Sequence, residues 1–132
     1  MEDIFTITKS REGIVSILHL AGRLDGLSES MLLKTAQEEH QGGTSYLLLD
    51  LTQLSMLTSA GLRAFHTIYK LFTPTAEVEE WGTQHPHEPY KSAYFKLAGT
   101  SSEIYYVLNI AGFLHNIPVF ANLQEGLRSF KS

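Results

Sequence analysis

Tyr46-Leu47-Leu48-Leu49-Asp50-Leu51-Thr52-Gln53-Leu54-Ser55-Met56-Leu57-Thr58-Ser59-Ala60-Gly61-Leu62 is the stretch on which the reading of this chain turns. It begins in a nearly continuous apolar run, Ser45 to Leu51. A strand covered on both faces has this texture, as parallel and central strands do. The run ends at Asp50, and a short polar-apolar loop follows, which Asp50 can cap or brace. Thr58-Ser59-Ala60-Gly61-Leu62 then opens a helix. Hydroxyls fall at a helix N-terminus, where backbone amides lack partners and the dipole favours negative charge. Two roles fit these hydroxyls. Thr58 or Ser59 serves as an N-cap, with Gly61 allowing close packing. Alternatively Ser59 accepts a phosphate, which brings about -1.5 to -2 charge units to a place that stabilises them.

Working outward, Leu62, Phe65, Tyr69 and Phe72 share one stripe, so the helix is expected from Ser59 to about Phe72. Upstream, Ile4 to Thr8 and Ile14 to Leu20 flank Arg11-Glu12-Gly13 and read as a hairpin. Gly22-Arg23-Leu24-Asp25 is a polar turn. A helix is expected from about Gly26 to Gln41, with Leu27, Met31 and Leu32 on one face and Gly42-Gly43 at its end. Downstream, Thr73 to Ala93 holds three of the 4 prolines, the one Trp and the acidic pair Glu79-Glu80. It reads as an inserted or extended loop at about residues 73–93, longer than the roughly 2–6 residues that an αβ connection needs. Trp81 and Tyr90 give it contact chemistry of the kind interfaces use, although a mobile surface loop has the same composition. Tyr94 to Ala98 is a strand, Ser101-Ser102-Glu103 starts a third helix, and Ile117 to Phe120 is a short strand whose Pro118 suits an edge or a strand start. Leu123, Leu127 and Phe130 mark a last helix. The expected class is α/β: a mixed sheet of about five strands with four α-helices packed mainly on one face, opening with a β-hairpin. Its βαβ crossovers should be right-handed.

The 132 residues suit a single domain, and 43% hydrophobic with 18% charged residues is ordinary globular composition. A net charge of -4 weighs against nucleic acid, whose phosphates attract basic proteins. With no cysteine there is no disulfide, thiolate nucleophile or Cys-ligated zinc. Met1-Glu2-Asp3 is acidic where a secretory leader is basic. No run approaches the roughly 20 apolar residues that cross a bilayer. A small cytoplasmic domain without direct membrane insertion is expected.

Catalytic signatures are sparse. His85-Pro86-His87-Glu88 offers metal-ligand types, but without a third fixed His nearby it reads as solvated loop, and no metal or cofactor is expected. His19, His66 and His115 stand singly and read as packing or surface residues. A hydrolase triad built on Ser59 lacks a Gly-x-Ser-x-Gly elbow and an evident base. No Gly-x-x-x-x-Gly-Lys-Ser/Thr loop cradles a nucleotide phosphate. The chain reads as a binding module rather than an enzyme.

Four features, in order, resemble the STAS domain family and its stand-alone anti-sigma factor antagonists. Asp50-Leu51-Thr52 is similar to the family's Asp-Leu-Ser at the strand end, and Thr58-Ser59-Ala60-Gly61-Leu62 to its Asp-Ser-Ser-Gly-Leu. Gly22-Arg23-Leu24-Asp25 resembles its Gly-x-Leu-Asp turn, and Ala111-Gly112-Phe113 its Gly-Leu or Gly-Phe before the last strand. The resemblance spans the chain except residues 73–93. It implies an anti-sigma factor antagonist that holds an anti-sigma factor when unphosphorylated and releases it when phosphorylated. That partner is also a serine kinase of the ATPase-lid type, and a PP2C-type phosphatase resets the switch.

The phosphoacceptor position falls on Ser59. Thr58 stands where the family has Asp, which makes it an alternative acceptor, and Ala60 replaces the second Ser. The docking residues implied are Asp25, Thr58, Ser59, Ala60, Gly61, Leu62 and Arg63. From the residues themselves, Asp25 equally suits a turn or cap, and Arg63 a solvated helix charge. A monomer or weak dimer is expected. The alternative within the same fold is a non-enzymatic STAS subunit of a membrane transport ATPase, in which Ser59 would lie at a permanent interface.

Overall fold

In the computed structural model, which describes residues 4–130, the opening runs form a hairpin. Strand β1 (Thr6–Glu12) pairs antiparallel with β2 (Val15–Leu24). Met1–Asp3, which weighed against a secretory leader, lie outside the described residues. Helix α1 (Glu29–Gln41) follows, then β3 (Tyr46–Leu57), α2 (Ser59–Phe72), α3 (Thr75–Gln84), β4 (Phe95–Ala98), α4 (Ser102–Ile110), a 3-10 turn (Phe113–His115), β5 (Val119–Phe120) and α5 (Leu123–Arg128). The sheet order is β1-β2-β3-β4-β5, and every pair after the hairpin is parallel. Each crossover therefore steps to the next strand in the same direction. Crossovers of one hand then place their helices on one face. Among the described residues no helix is long and apolar enough to cross a membrane.

That face is the main core. Leu18, Leu20 and Leu24 of β2, Leu47, Leu49 and Leu51 of β3 and Phe95 and Leu97 of β4 point into it. Leu32 and Ala36 of α1, Ala64, Phe65, Ile68 and Phe72 of α2 and Ile104 and Leu108 of α4 meet them. The opposite face carries a smaller cluster, Val15, Ile17, Leu48 and Ala98, against which Leu123, Leu127 and Phe130 pack. Gly126 lets α5 lie close, since a Cβ there would stand 3.1 Å from Leu48 Cδ1 and 3.2 Å from Ala98 Cβ. Lys96 projects on this side as well. Its Nζ donates to Ser129 O and Oγ, both at 3.0 Å, and sits 4.2 Å from the Phe130 ring centroid. A cation is thus held at the C-terminus of α5, where the dipole favours it.

Three expectations change. The helices number five among the described residues, not four, because the interval read as loop contains α3. Pro74 precedes that helix and Pro86 follows it, so the prolines bracket a Pro-free run rather than interrupt it. None of its residues is buried, so it lacks the strong apolar stripe that announces a helix. Polar contacts fasten the segment: Tyr90 Oη and Tyr94 Oη donate to the Glu77 carboxylate at 2.7 and 2.5 Å, and Trp81 Nε1 donates to Glu88 O at 3.0 Å. The Glu77 hydrogen bond pushes the Tyr94 phenol up to about 12, so it stays a donor. Second, the loop read after Asp50 is strand as far as Leu57, paired to β2 through two register shifts. Third, Leu27 and Met31 are exposed. Helix α1 starts at Glu29, and Leu32 and Ala36, four apart, set its inward face.

Glu39 ties α1 to the hairpin. It accepts from Ser16 Oγ and, at 3.4 Å, from Lys9 Nζ. The Ser16 hydrogen bond, opposed by burial and aided by Lys9 and Arg11, holds its carboxyl below the ordinary 4.5. The native state therefore binds fewer protons than the unfolded chain. This contribution is present above the ordinary value and is lost as pH falls through the folded one. Glu39→Gln is expected to flatten the fall of the urea midpoint between about pH 5 and pH 3, read by titrating both proteins across that window.

Candidate functional site

Strands β2 and β3 run parallel and end together, with Leu24 opposite Leu57. The segments leaving their C-terminal ends are therefore neighbours, as sites on parallel sheets commonly are. The Thr58 N–H and hydroxyl both donate to Leu24 O, at 3.1 and 3.2 Å. This joins the β2–α1 turn, which holds Asp25, to the start of α2, which holds Ser59.

Thr58 occupies the N-cap position of α2, but its side chain makes no capping bond because the hydroxyl is engaged with Leu24. The first intrahelical bond runs from the Leu62 N–H to Thr58 O at 3.1 Å. The amides of Ser59, Ala60 and Gly61 precede it. Ser59 is exposed at this end, and no acidic residue stands in the first turn. Ala60 and Gly61 face inward and are buried, while Leu62 is half-buried. A Cβ on Gly61 would lie 2.5 Å from Leu57 Cδ1 and 2.9 Å from Leu24 Cγ, so this position sets how closely α2 seats on the strand ends.

Asp25 is the cap of the neighbouring turn. Its Oδ1 accepts from the Leu27 N–H at 3.0 Å, the Ser28 N–H at 3.3 Å and Ser28 Oγ at 3.1 Å. The Leu27 N–H, with Ser28 and Arg23 helping against partial burial, holds the Asp25 carboxyl below its ordinary 3.8. Gly22–Leu24, read from the sequence as a turn, are the end of β2; Gly22 has φ +91 at a register shift of the strand, with Ile4 backbone packed where a side chain would begin, and the turn starts at Asp25. Arg63 Nη2 donates to Glu29 Oε1 at 3.1 Å, an α2–α1 pair at the rim worth about 0–1 kcal/mol. Around these polar groups lie Leu27, Met31 and Met56, exposed by 93%, 48% and 39%. An apolar residue this open beside a charged turn suits a partner surface. The reading of the sequence placed Leu27 and Met31 inward; the helix start at Glu29 was the missing signal.

Asp50 lies elsewhere. It projects on the sheet face that α5 partly covers, and its Oδ1 accepts from the Thr52 N–H at 3.1 Å and Thr52 Oγ1 at 2.5 Å. It braces the chain after it, as expected, although that chain is strand. Its Oδ2 stands 2.7 Å from His19 Nδ1, so His19 is engaged rather than a lone packing residue. His85 stacks on Trp81 at 3.8 Å, and among the described residues no group of three His, Cys, Asp or Glu is arranged for a metal ion.

The STAS domain model matches residues 6–76, which is more than half of the chain and includes both segments of the site. The chain belongs to the STAS domain family. The match ends inside α3, so the remainder of this STAS chain is compared by structure. An anti-sigma factor antagonist from Mycobacterium paratuberculosis superposes with a TM-score of 0.79 at 15% identity, covering 98% of this chain and 96% of that one. An anti-sigma-factor antagonist (STAS) domain protein from Planctomyces limnophilus gives 0.70 at 17% identity, covering 96% and 98%. The Bacillus cell fate determinant SpoIIAA in its phosphorylated form gives 0.60 at 14% identity, covering 95% and 97%. At these identities the likeness is one of fold. No curated protein matches this STAS chain by sequence.

Proposed function

We propose that this STAS protein is an anti-sigma factor antagonist, a non-enzymatic module that docks on an anti-sigma factor through the joined ends of β2 and β3. The partner is a serine kinase of the ATPase-lid type acting in the cytoplasm. It phosphorylates Ser59, and the pair separates until a PP2C-type phosphatase restores the hydroxyl. The observation that carries this reading is the exposed Ser59 at an N-terminus whose own cap residue is turned away to Leu24.

A phosphate on Ser59 meets free amides and the positive end of the α2 dipole, so the free protein tolerates it. Arg63 lies one turn on, at i+4, and the phosphate competes with Glu29 for its guanidinium. In a docked surface the same dianion is desolvated and faces whatever received a neutral hydroxyl. Local charge therefore suffices for release, without refolding. Thr58 keeps a hydroxyl where the family has Asp, but its bond to Leu24 O makes it the less available acceptor.

The test is incubation with ATP and a serine kinase of the ATPase-lid type from the same organism, followed by mapping of phosphate by mass spectrometry. Modification at Ser59, with loss of a complex formed beforehand, is the expected result. Failure of both Ser59 and Thr58 to be modified, with no binding, removes the reading. A stable complex indifferent to Ser59→Glu points instead to a permanent assembly such as a transport ATPase.

The apolar rim gives a separate expectation. Leu27→Asp should weaken the complex about tenfold, ~1.4 kcal/mol. Its urea midpoint should match that of the unaltered protein, because Leu27 is 93% exposed. Isothermal titration and urea denaturation check the two halves.

A further inference from the structure

Three adjacent strands place a serine, a histidine and an aspartate in line on the sheet face opposite the main core. His19 of β2 stands directly across from Asp50 of β3, and Ser10 of β1 lies diagonally from His19, beside the Thr8–His19 pair. Ser10 Oγ is 2.8 Å from His19 Nε2, and His19 Nδ1 is 2.7 Å from Asp50 Oδ2. The contact with Asp50 fixes one proton position. An ionised carboxylate only accepts, so Nδ1 carries the hydrogen and donates to Asp50. In that tautomer Nε2 carries the lone pair that can accept the Ser10 hydroxyl proton. Asp50 is itself held, since Thr52 donates twice to its other oxygen. Burial opposes its ionisation, but the hydrogen bonds from Thr52 and His19 outweigh it and keep the carboxyl below its ordinary 3.8. Exposure rises along the row, from 14% for the Asp50 side chain to 32% for His19, and Ser10 is open to solvent.

We propose that Ser10 is an activated nucleophile, with His19 as its general base and Asp50 as the positioning residue, and that it is a site of covalent acylation by small activated esters. The arrangement has the roles and contacts of a serine–histidine–aspartate relay. The class of reagent follows from the surroundings. Lys9 and Arg11 flank Ser10 in sequence, but strand alternation sends them to the other face, where Lys9 meets Glu39 and Arg11 meets Thr44. No cation among the described contacts serves Ser10, so a neutral acyl donor suits it better than an anionic phosphate.

In the step, Ser10 Oγ bonds to the ester carbonyl carbon while its proton passes to His19 Nε2. The carbon–oxygen bond to the leaving group then breaks, and the proton goes from His19 to the departing oxygen. The products are O-acyl Ser10 and a free alcohol. The row lies on an open sheet face without an evident donor for the oxyanion, so acylation is expected to exceed turnover.

Treatment of the full chain with p-nitrophenyl acetate, with peptide mapping over time, tests this. Acetyl should appear at Ser10 at least about tenfold faster than at Ser59 or any other hydroxyl. His19→Gln should slow it by about 100-fold, the scale of general-base assistance. Asp50→Asn should also slow it and should shift the ¹⁵N resonances of the His19 ring from the Nδ1–H to the Nε2–H tautomer, a change that loss of packing alone does not produce. Acetyl confined to lysine amines in the unaltered protein overturns the proposal. So does an undiminished Ser10 rate in His19→Gln. Should either variant fail to fold, the map of the unaltered protein decides.

Discussion

Ser59→Glu is expected to weaken the complex with the anti-sigma kinase by about 30-fold or more, ~2 kcal/mol or above, on the scale of like-charge and desolvation costs in interfaces. The free protein should respond in the opposite direction. Ser59 is exposed at the start of α2, and no acidic residue already occupies that first turn. A carboxylate placed there interacts favourably with the helix dipole, by about 0.3–1 kcal/mol. Thermal melting should therefore hold steady or rise slightly while affinity falls. That pairing separates a surface charge effect from damage to the fold, because a folding defect lowers both. Ser59→Ala supplies the control: it should bind as the unaltered protein does and accept no phosphate at this position. Titration calorimetry and melting curves on the same preparations give the comparison.

The second large effect is on stability. Phe65 is fully buried in the middle of α2, among the leucines of β2 and β3. Phe65→Ala should cost about 3–5 kcal/mol. Against a total stability of about 5–15 kcal/mol, this is a large fraction. A urea series should show a much lower midpoint with the slope little changed. The variant also separates two jobs of α2. At low temperature, where most molecules remain folded, it should dock with near-normal affinity, since Phe65 is fully buried and presents no surface to a partner. Loss of docking in the folded fraction would mean that the seat of α2, and not only its first turn, shapes the surface.

Much of this architecture was legible from one chain. The apolar run through Leu51 and the stripe of Leu62, Phe65, Tyr69 and Phe72 placed β3 and α2, and α2 starts and ends where periodicity put it. Local punctuation misled at Gly22, which bends β2 at a register shift and does not end it. What escaped had physical reasons. Helix α3 buries none of its residues, so no periodic signal marked it. The exposure of Leu27 depended on a helix start three residues later than expected. The row of Ser10, His19 and Asp50 depends on register between strands whose members lie 9 and 31 residues apart. No local pattern encodes that separation. At the candidate site, the resemblance grouped Asp25 with Ser59, and the structure supplies the physical reason for their proximity, the shared ending of β2 and β3.

The strand order β1-β2-β3-β4-β5 has a further consequence, for how the molecule is made. Each strand pairs with the one before it, so the chain can add structure in the order in which it leaves the ribosome. Only the hairpin closes a short loop; Val15 pairs with Tyr46 and Leu47 with Phe95, so the parallel pairings wait on long crossovers and are the slow steps. The hairpin offers β2 as a ready edge, and α1, β3 and α2 bring the residues of the docking end out by Phe72. The two-residue β5 and the six-residue α5 come last and seal the far side. A nascent chain that has emerged as far as α2 holds every residue of the docking end, while Phe95, Leu97, Ile104 and Leu108, which complete the core that seats α2, still follow.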